Sequence, residues 1–335
     1  MVIPLKWGSD PGEACRVEEM RWYLDGMRRT VAHITVVDGS PGPARLAHEA
    51  AWSPYARIIS PDDDGVVPAS GSDVDGPARR PAPGLNGKVV GALTGIRAAR
   101  HERVVLADDD VRHTRSSLCA LVAALDDADL VRPVNVFDAW PWQARWDGSR
   151  TLLNVVLATD WPGTFALRRS RVLACGGWSA DVLFENLELW RTVRAAGGRT
   201  VALPDLTVWR RPPSVRQFWS QRVRQAYDDL AQPGRLAAEL AILPAVALAA
   251  RGGPRPLGIL GAAVVLAAAA GRRRLGVDRV PPSVPLWAPA WVLERGVCVW
   301  IALARRLSGG VRYHGSRLRL AAHSVAALRQ QLSTR

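Results

Sequence analysis

The sequence predicts an α/β fold, in which a doubly wound, mostly parallel, Rossmann-like sheet precedes a helical, membrane-associated C-terminal region. Three observations predict it. Short apolar runs alternate with amphipathic helical segments over the first two thirds of the chain, which is the pattern of a parallel sheet covered by helices. Several of these runs stop at Asp, Gly or Pro turns. The last third is rich in Ala, Leu and Arg.

The elements alternate in order along the chain. Val2–Leu5 is a buried first strand, and Glu13–Arg29 is a helix because apolar residues recur on one face. Further strands are predicted at Val31–Val37, Ala56–Ser60, Arg103–Ala107, Leu130–Val136, Phe165–Arg168, Arg199–Leu203 and Leu206–Trp209. Further helices are predicted at Ala44–Trp52, Gly87–Arg100, Thr114–Leu125 and Phe184–Ala196, the last closed by Gly197 and Gly198.

One segment interrupts the alternation. Residues 61–84 are rich in Asp, Gly, Pro and Ser and have no hydrophobic period, which predicts a flexible surface insertion. It is either a tolerated loop or a functional lid. We place one domain over residues 1–230, including this insertion, and a second region over residues 231–335.

Charge is distributed unevenly. The formal net charge is +13, but residues 209–335 contain 20 basic and 5 acidic residues, whereas residues 1–208 contain 24 basic and 26 acidic ones. The basic residues of the last third flank apolar runs and do not alternate with aromatic ones. This pattern favours a membrane surface as partner and argues against nucleic acid. Four widely spaced cysteines fit a reducing cytoplasm, and no signal peptide is expected.

Three consecutive carboxylates, Asp108, Asp109 and Asp110, follow the predicted strand Arg103–Ala107. Carboxylates at the carboxyl end of a strand can hold Mg²⁺ or Mn²⁺ against nucleotide phosphates. The alternative is a solvated acidic turn. Residues 139–163 contain four tryptophans, which form either a sugar- or lipid-facing wall or a packed flap.

Six short motifs follow one another along the chain: VIP on the first strand, VVDGS at 36–40, the Asp triplet, GGW at 176–178, ENLEL at 185–189 and QRVRQ at 221–225. In this order they resemble the family 2 glycosyltransferases, which are inverting, metal-dependent, nucleotide-sugar enzymes with a GT-A fold. The resemblance covers roughly residues 2–229, and the likeness is greatest to the membrane-associated group that includes ceramide glucosyltransferase-like and hopanoid-pathway enzymes.

The resemblance implies roles for the donor side of a site in domain 1–230. Asp38 would contact the uracil or ribose. The triplet matches the family's DxD motif, so Asp108 would contact the ribose or the metal, Asp109 the donor and Asp110 the metal. Lys88 is either a further donor contact or a solvated helix lysine. A divalent ion would neutralise charge on the departing nucleoside diphosphate.

The family's general base is the Asp of a Glu-Asp pair, which reads Glu185-Asn186 here. Asparagine cannot accept the proton, so the resemblance leaves Glu185 or its same-face neighbour Glu188 as the base, or an inactive chain. The alternative for both acids is a solvated helix face. Trp178 is a candidate acceptor contact.

QRVRQ matches the family's QxxRW motif at two positions, with Gln225 in place of the tryptophan. Gln221, Arg222 and Arg224 would bind the donor diphosphate. Trp219 would stack on the acceptor.

Two apolar runs, Leu236–Ala250 and Leu257–Ala270, are each about 15 residues long, below the roughly 20 that span a bilayer upright. A third, Trp287–Leu307, is interrupted by charge and resembles a tilted or interfacial helix. We expect membrane association at the cytoplasmic face of the inner membrane, as a hairpin or as spans. The competing interpretation is a soluble helical subdomain.

The sequence therefore predicts an enzyme that moves a sugar from a UDP- or GDP-sugar to a lipid or polyprenyl hydroxyl, with Mg²⁺ or Mn²⁺ as cofactor. Two alternatives remain open. One is a catalytically silent, membrane-anchored nucleotide-sugar-binding or scaffold protein on the same fold, suggested by Asn186. The other is a nucleotidyltransferase, which would also have acids after a strand.

Overall fold

The computed structural model describes residues 1–8, 13–61, 86–156, 160–313 and 316–334. The predicted insertion at 61–84 lies, apart from Pro61, outside them. The described strands are β1 Val2–Leu5, β2 Thr35–Asp38, β3 Arg57–Ile59, β4 Arg103–Ala107, β5 Val111–Arg112, β6 Leu130–Phe137, β7 Thr164–Arg168, β8 Thr200–Arg210, β9 Val311–Tyr313 and β10 Ser316–Leu318. The described helices are α1 Glu13–Met27, α2 Gly42–Trp52, α3 Gly87–Ala98, α4 Arg115–Ala123, α5 Trp142–Val156, α6 Arg169–Ala174, α7 Glu185–Ala195, α8 Val215–Asp228, α9 Pro233–Leu240, α10 Ile242–Arg251, α11 Pro254–Leu275, α12 Ala288–Leu307 and α13 Val325–Ser333.

The predicted α/β fold with a mostly parallel sheet is confirmed. Eight strands form one sheet in the order β3-β2-β1-β4-β7-β6-β8-β5. β1 runs parallel to β2 and β4, and β2 runs parallel to β3. β7 is antiparallel to both β4 and β6. The carboxyl ends of β1, β2 and β4 therefore share one edge of the sheet, which is where ligands bind in open α/β folds.

Three local predictions need correction. The two strands predicted at 199–209 are one strand, β8, since Pro204 removes a backbone donor but fits an extended backbone. The Trp-rich stretch contains a helix, α5, in which Trp142 and Trp146 are four residues apart on one face. A short helix, α6, was not predicted.

Capping residues explain where several helices begin. The Asn86 side chain accepts a hydrogen bond from the backbone N–H of Lys88 (3.1 Å), which starts α3. Thr114 and Ser117 form a capping box that starts α4. The side chains of Ser214 and Ser324 each accept one backbone N–H, and they start α8 and α13. Each cap satisfies backbone donors that a helix terminus leaves without an intrahelical partner.

The chain divides into two units. The first unit contains Met1–Pro133, Pro162–Ala202 and His323–Arg335, and the second contains Val134–Trp161 and Leu203–Ala322. The domain boundary that the sequence suggests, at residue 230, separates a catalytic from a membrane-associated region and stays a prediction.

Each unit has its own apolar core. In the first unit, buried residues of β1 and β2 pack with residues of α1 and α2, among them Ile3, Met20, Val36 and Trp52. The core of the second unit is built by β6, α5 and α11. There the α11 backbone at Gly271 approaches the carbonyl of Leu152 so closely that a Cβ would lie 2.1 Å from its oxygen.

Three helical segments of the second unit are long and apolar enough to cross a membrane, by length and composition: Pro233–Arg251 (19 residues), Pro254–Leu275 (22) and Val284–Leu307 (24). The 15-residue estimate from sequence was too short, because the helices continue into flanking residues that are not apolar. After α12, β9 and β10 pair as antiparallel strands.

Candidate active site

The Asp triplet lies at the carboxyl edge of the sheet. Asp108 follows Ala107, the last residue of β4, and its backbone N–H donates to the carbonyl of Gly163 (2.8 Å). Asp38 is the last residue of β2, two strands away. The structure therefore gathers carboxylates from separate strands at the sheet edge that the sequence predicted.

Lys88 links one of these aspartates to a second acid. Its Nζ lies 2.7 Å from Oδ1 of Asp108 and 2.7 Å from Oε1 of Glu185, and both carboxylates are largely buried. Burial disfavours the ammonium, but the charges of the two carboxylates outweigh it and raise the pKa of Lys88. Lys88 therefore stays protonated at neutral pH, and it is not the solvated lysine that the sequence left open.

Backbone contacts hold this lysine in place. Asn86, which caps α3, donates from Nδ2 to the carbonyl of Val182 (3.2 Å), and its own N–H donates to Ala180 (2.6 Å). These bonds join the start of α3 to the loop that leads into α7. Lys88 and Glu185, which are 97 residues apart in sequence, meet for this reason.

Glu185 is the first residue of α7 and is 16% exposed. A carboxylate in the first turn is favoured by the helix dipole. The side chain of its neighbour Asn186 has a different contact, in which Nδ2 donates to the carbonyl of Pro162 (3.1 Å). Of the Glu-Asn pair, the glutamate is therefore the member that meets Lys88.

Glu188 has a different environment. Its side chain is fully buried, and its oxygens contact Nδ1 of His323 (2.7 Å) and the backbone N–H of His323 (2.8 Å). The hydrogen bond to Glu188 raises the pKa of His323. Glu188 therefore holds the segment before α13 against α7, and it is not the solvated helix residue that was the alternative.

Asp109 is fixed by two residues near the N-terminus. The indole N–H of Trp7 donates to its Oδ2, and a guanidinium nitrogen of Arg16 lies 3.5 Å from the same oxygen. The Arg16 guanidinium also stacks 4.1 Å from the centre of the Trp7 ring. Burial, followed by the charge of Asp110, raises the pKa of Asp109. Trp7 and Arg16 thus hold the middle of the triplet.

Asp38 is buried, and each of its two carboxylate oxygens contacts a neighbouring residue. Oδ1 accepts from the N–H of Ser40 (2.8 Å), and Oδ2 lies 2.7 Å from Nδ1 of His48. The hydroxyl of Ser40 in turn accepts from the N–H of Trp7 (2.9 Å). Asp38 therefore organises the loop after β2, and its predicted donor contact stays a prediction.

The triplet suits a divalent cation that arrives with phosphates. Within the described ranges, no three His, Cys, Asp or Glu side chains converge on one point. Mg²⁺ in nucleotide sites is typically held by one or two carboxylates and by phosphate oxygens. The two ligands predicted from sequence, Asp108 and Asp110, would match that number, and their role stays a prediction. Gly163 leaves the space that Asp108 occupies, because a Cβ there would lie 2.1 Å from its Oδ2.

We therefore expect Gly163→Ala to displace Asp108 and to weaken Mn²⁺-dependent nucleotide binding at least tenfold, with about 1–3 kcal/mol lost from the unfolding free energy through overpacking. Gly26→Ala is the matched control, because a Cβ at Gly26 meets nothing within 4 Å. Titration calorimetry and urea unfolding measure the two effects. Nucleotide affinity as high in Gly163→Ala as in Gly26→Ala would contradict the proposed role of this glycine.

His113 lies behind the triplet and predicts a pH dependence. Its Nε2 is 3.1 Å from the Thr164 hydroxyl, and burial lowers its pKa from 6.5 to about 4. Below pH 6.5 the imidazole of His113 is protonated in the unfolded chain, whereas in the folded chain it stays neutral until about pH 4. The contribution of His113 to stability is therefore fully present well above pH 6.5 and falls by about 2 kcal/mol between pH 7 and 5. Urea unfolding of wild type and His113→Gln at both pH values tests this, since the variant should lack that part of the loss.

The QRVRQ motif lies on α8, in the second unit. Arg222 is buried, 3.0 Å from Asp147 and 3.5 Å from Glu294. Burial opposes the charge of Asp147, but Arg150 and Arg222 lower its pKa to about 2. Arg222 is thus engaged in an internal ion pair, whereas Gln221 and Arg224 are partly exposed.

The two candidate acceptor tryptophans differ in exposure. Trp178 follows Gly176 and Gly177, which both have positive φ angles, and it is buried in the first unit. Trp219 is 53% exposed in the second unit. It belongs to an aromatic cluster whose other members are Trp142, Trp146, Phe218 and Trp287.

Sequence reasoning missed three residues that shape the site: Trp7, Asn86 and Gly163. Trp7 stands just past the end of β1, and that position at the ligand edge of the sheet was a usable signal. Asn86 precedes a predicted helix, so its capping role was also readable. Nothing in the sequence identifies Gly163, since its constraint comes from Asp108 on another strand.

Comparison with solved structures defines the class of fold. No protein-family profile and no curated protein matches this sequence. The mannosyltransferase PcManGT from Pyrobaculum calidifontis, solved with GDP-Man and Mn²⁺, is similar over 91% of this chain and 86% of its own, with a TM-score of 0.52 and 19% identity. The fold is therefore of the GT-A glycosyltransferase type.

Glucosyl-3-phosphoglycerate synthase from Mycobacterium tuberculosis, solved with Mn²⁺, UDP and glucosyl-3-phosphoglycerate, matches less extensively. The match covers 65% of this chain and 75% of the synthase chain, with a TM-score of 0.39 and 16% identity. At these identities the likeness concerns the fold, and function has to be argued from the residues of this chain.

Proposed function

We propose that this protein is an inverting, membrane-associated glycosyltransferase that moves a sugar from a UDP- or GDP-sugar to a lipid or polyprenyl hydroxyl at the cytoplasmic face of the membrane. The observation that carries the proposal is the group formed by Asp108, Lys88 and Glu185 at the ligand edge of a GT-A-type sheet. It joins a DxD carboxylate to a carboxylate that can act as a base.

Asp108 and Asp110 would hold Mg²⁺ or Mn²⁺, and Asp109, bonded to Trp7, keeps the turn between them in place. When bound with the donor, the ion supplies Lewis-acid neutralisation of the diphosphate leaving group. Lys88 adds a permanent positive charge beside Asp108, where negative charge develops as the glycosidic bond to the phosphate breaks.

Glu185 would accept the proton of the acceptor hydroxyl as that oxygen attacks the anomeric carbon from the face opposite the leaving group, which inverts the configuration. Its neighbour Lys88, whose Nζ lies 2.7 Å from Oε1, holds the carboxylate in place. We assign this role to Glu185 over Glu188 because Glu188 is fully buried and bonded to His323.

Gln221 and Arg224 remain our candidates for diphosphate contacts, and Trp219 for the acceptor. Arg222 and Trp178 were also proposed from sequence, but both are buried. Replacing Arg222 would leave Asp147 unpaired in the interior, so that variant tests stability and not donor binding.

The proposal is tested by calorimetry with UDP- and GDP-sugars with and without Mn²⁺, followed by mass spectrometry of products from a membrane lipid extract. We expect Mn²⁺-dependent binding of one donor and a glycosylated lipid product. Binding without turnover would favour the silent scaffold, which Asn186 motivates. Release of pyrophosphate in a parallel assay that contains a nucleoside triphosphate and a sugar phosphate would favour a nucleotidyltransferase. Absence of nucleotide binding would remove all three candidates.

A further inference from the structure

The second unit exposes an unusual amount of apolar helix surface. In one apolar 18-residue stretch of each of the three segments that could cross a membrane, the buried share is 6% within 233–251, 11% within 254–275 and 39% within 284–307. Leu248, Ile259 and Leu266 are each about 70% exposed. Arginines flank the segments at 251 and 255, and at 272–274, as suits contact with anionic lipid headgroups.

If all three segments crossed the membrane, the number of crossings would be odd. Residues before Pro233 and after Leu307 would then lie on opposite sides of a hydrocarbon layer roughly 30 Å thick. Whether the number of crossings is odd or even can therefore be judged from contacts between the chain before the first segment and the chain after the third.

Such contacts exist inside each unit. In the second unit, the Tyr227 hydroxyl donates to the carbonyl of Arg319 (2.6 Å) across 92 residues of chain. In the first unit, Glu188 accepts the backbone N–H of His323 (2.8 Å) and contacts its Nδ1 (2.7 Å). Neither contact can form across a bilayer.

The chain cannot return through the membrane between these points. Residues 308–322 number 15 and include Arg312, Arg317 and Arg319, whereas a helical span needs about 20 mostly apolar residues. They also contain the β9–β10 hairpin. An open two-stranded hairpin leaves backbone groups without partners in lipid, so it does not span.

We infer that the chain crosses the membrane an even number of times, that residues 233–275 enter the lipid and return, and that α12 lies along the membrane surface. The contacts of α12 single it out. Arg295, near its middle, is 1% exposed and 3.0 Å from Asp229, which lies four residues before the first segment. The middle of α12 is therefore paired with the chain that precedes the first segment.

The charge next to Arg295 supports the same placement. Glu294 accepts a hydrogen bond from the indole of Trp146 (3.2 Å) and lies 3.5 Å from Arg222. Two adjacent charges at the centre of a span would be costly in hydrocarbon. On an interfacial helix they face protein, while Leu293, Val297, Trp300 and Ile301, each 40–48% exposed, form a row that fits the headgroup–acyl boundary.

Single-cysteine labelling tests this topology. The natural cysteines, Cys15, Cys119, Cys175 and Cys298, are free thiols, so one series of chains has all four replaced by alanine and one reporter added: Asp278→Cys between α11 and α12, or Ser308→Cys after α12. A third chain keeps only Cys119, which is exposed in the first unit. Each is treated with a membrane-impermeant maleimide in sealed right-side-out and inverted vesicles.

We expect all three thiols to react in the same vesicle orientation and not in the other. Labelling of Ser308→Cys from the side opposite Cys119 would show an odd number of crossings and overturn the inference. Labelling of Asp278→Cys opposite Ser308→Cys would show that α12 crosses, and would overturn it too. Recovery of the wild-type chain in the soluble fraction would remove the membrane as partner.

A second measurement does not depend on cysteine variants folding. A protease-cleavable tag fused after residue 335 of the wild-type chain should be cut in the same vesicles in which Cys119 reacts, and protection of the tag there would overturn the inference. Failure of glycosyl transfer leaves both readouts unchanged, so this topology and the proposed function fail separately.

Discussion

Replacing Asp110 with alanine is expected to abolish Mn²⁺-dependent donor binding and to lower turnover by about a thousandfold or more, since Lewis-acid neutralisation of a leaving group is worth several kcal/mol. Removing the carboxylate leaves Asp108 alone, and Asp108 is already bound to Lys88. Donor affinity with and without Mn²⁺, and product formation under saturating donor, measure the effect.

Asp127→Ala is the matched control, because Asp127 is an exposed aspartate of the first unit that lies outside the triplet. Its affinity and turnover should equal those of wild type. If Asp110→Ala binds the donor with the same dependence on Mn²⁺ as Asp127→Ala, the triplet has no part in holding the ion, and the proposed mechanism loses its leaving-group assistance.

Glu185→Gln is expected to lower kcat by about 10²–10⁴-fold, the usual contribution of a positioned general base, while donor affinity changes little. The substitution keeps the shape of the side chain, and its amide oxygen can still accept from Lys88, which bonds Glu185 at 2.7 Å. Only the proton-accepting carboxylate is removed. Single-turnover kinetics on preloaded donor separate this step from binding.

Glu188→Gln gives the opposite result if the assignment is correct. Glu188 is buried and bonded twice to His323, so we expect the substitution to lower the unfolding free energy by about 1–3 kcal/mol and to leave kcat close to wild type. A large loss of kcat in Glu188→Gln, with Glu185→Gln still active, would transfer the base to Glu188.

Much of the fold could be predicted because its signals are local. The alternation of apolar runs with helical periodicity predicts most strands of the sheet within a few residues, and the motif order predicts the GT-A type. The prediction fails where a signal is shared by two structures. A cluster of tryptophans is equally compatible with a sugar- or lipid-facing wall, a packed flap or a helix. Only the four-residue spacing of Trp142 and Trp146 indicates the helix.

The site could be predicted only in part, because its contacts are long-range. Asp108 and Glu185 could be proposed from their motifs, but Lys88 meets Glu185 across 97 residues and His323 meets Glu188 across 135. No periodicity encodes such pairs. The roles of Glu185 and Glu188 therefore stayed interchangeable in sequence, and burial is what distinguishes them.

The lysine between two acids also bears on the order in which ligands assemble. Lys88, Asp108 and Glu185 together carry one negative charge. That charge, together with the charge of Asp110 nearby, attracts a bare dication and repels the diphosphate of a free sugar nucleotide. Coulomb's law thus favours sequential entry, in which the ion binds first and the donor follows once the ion has neutralised the carboxylates.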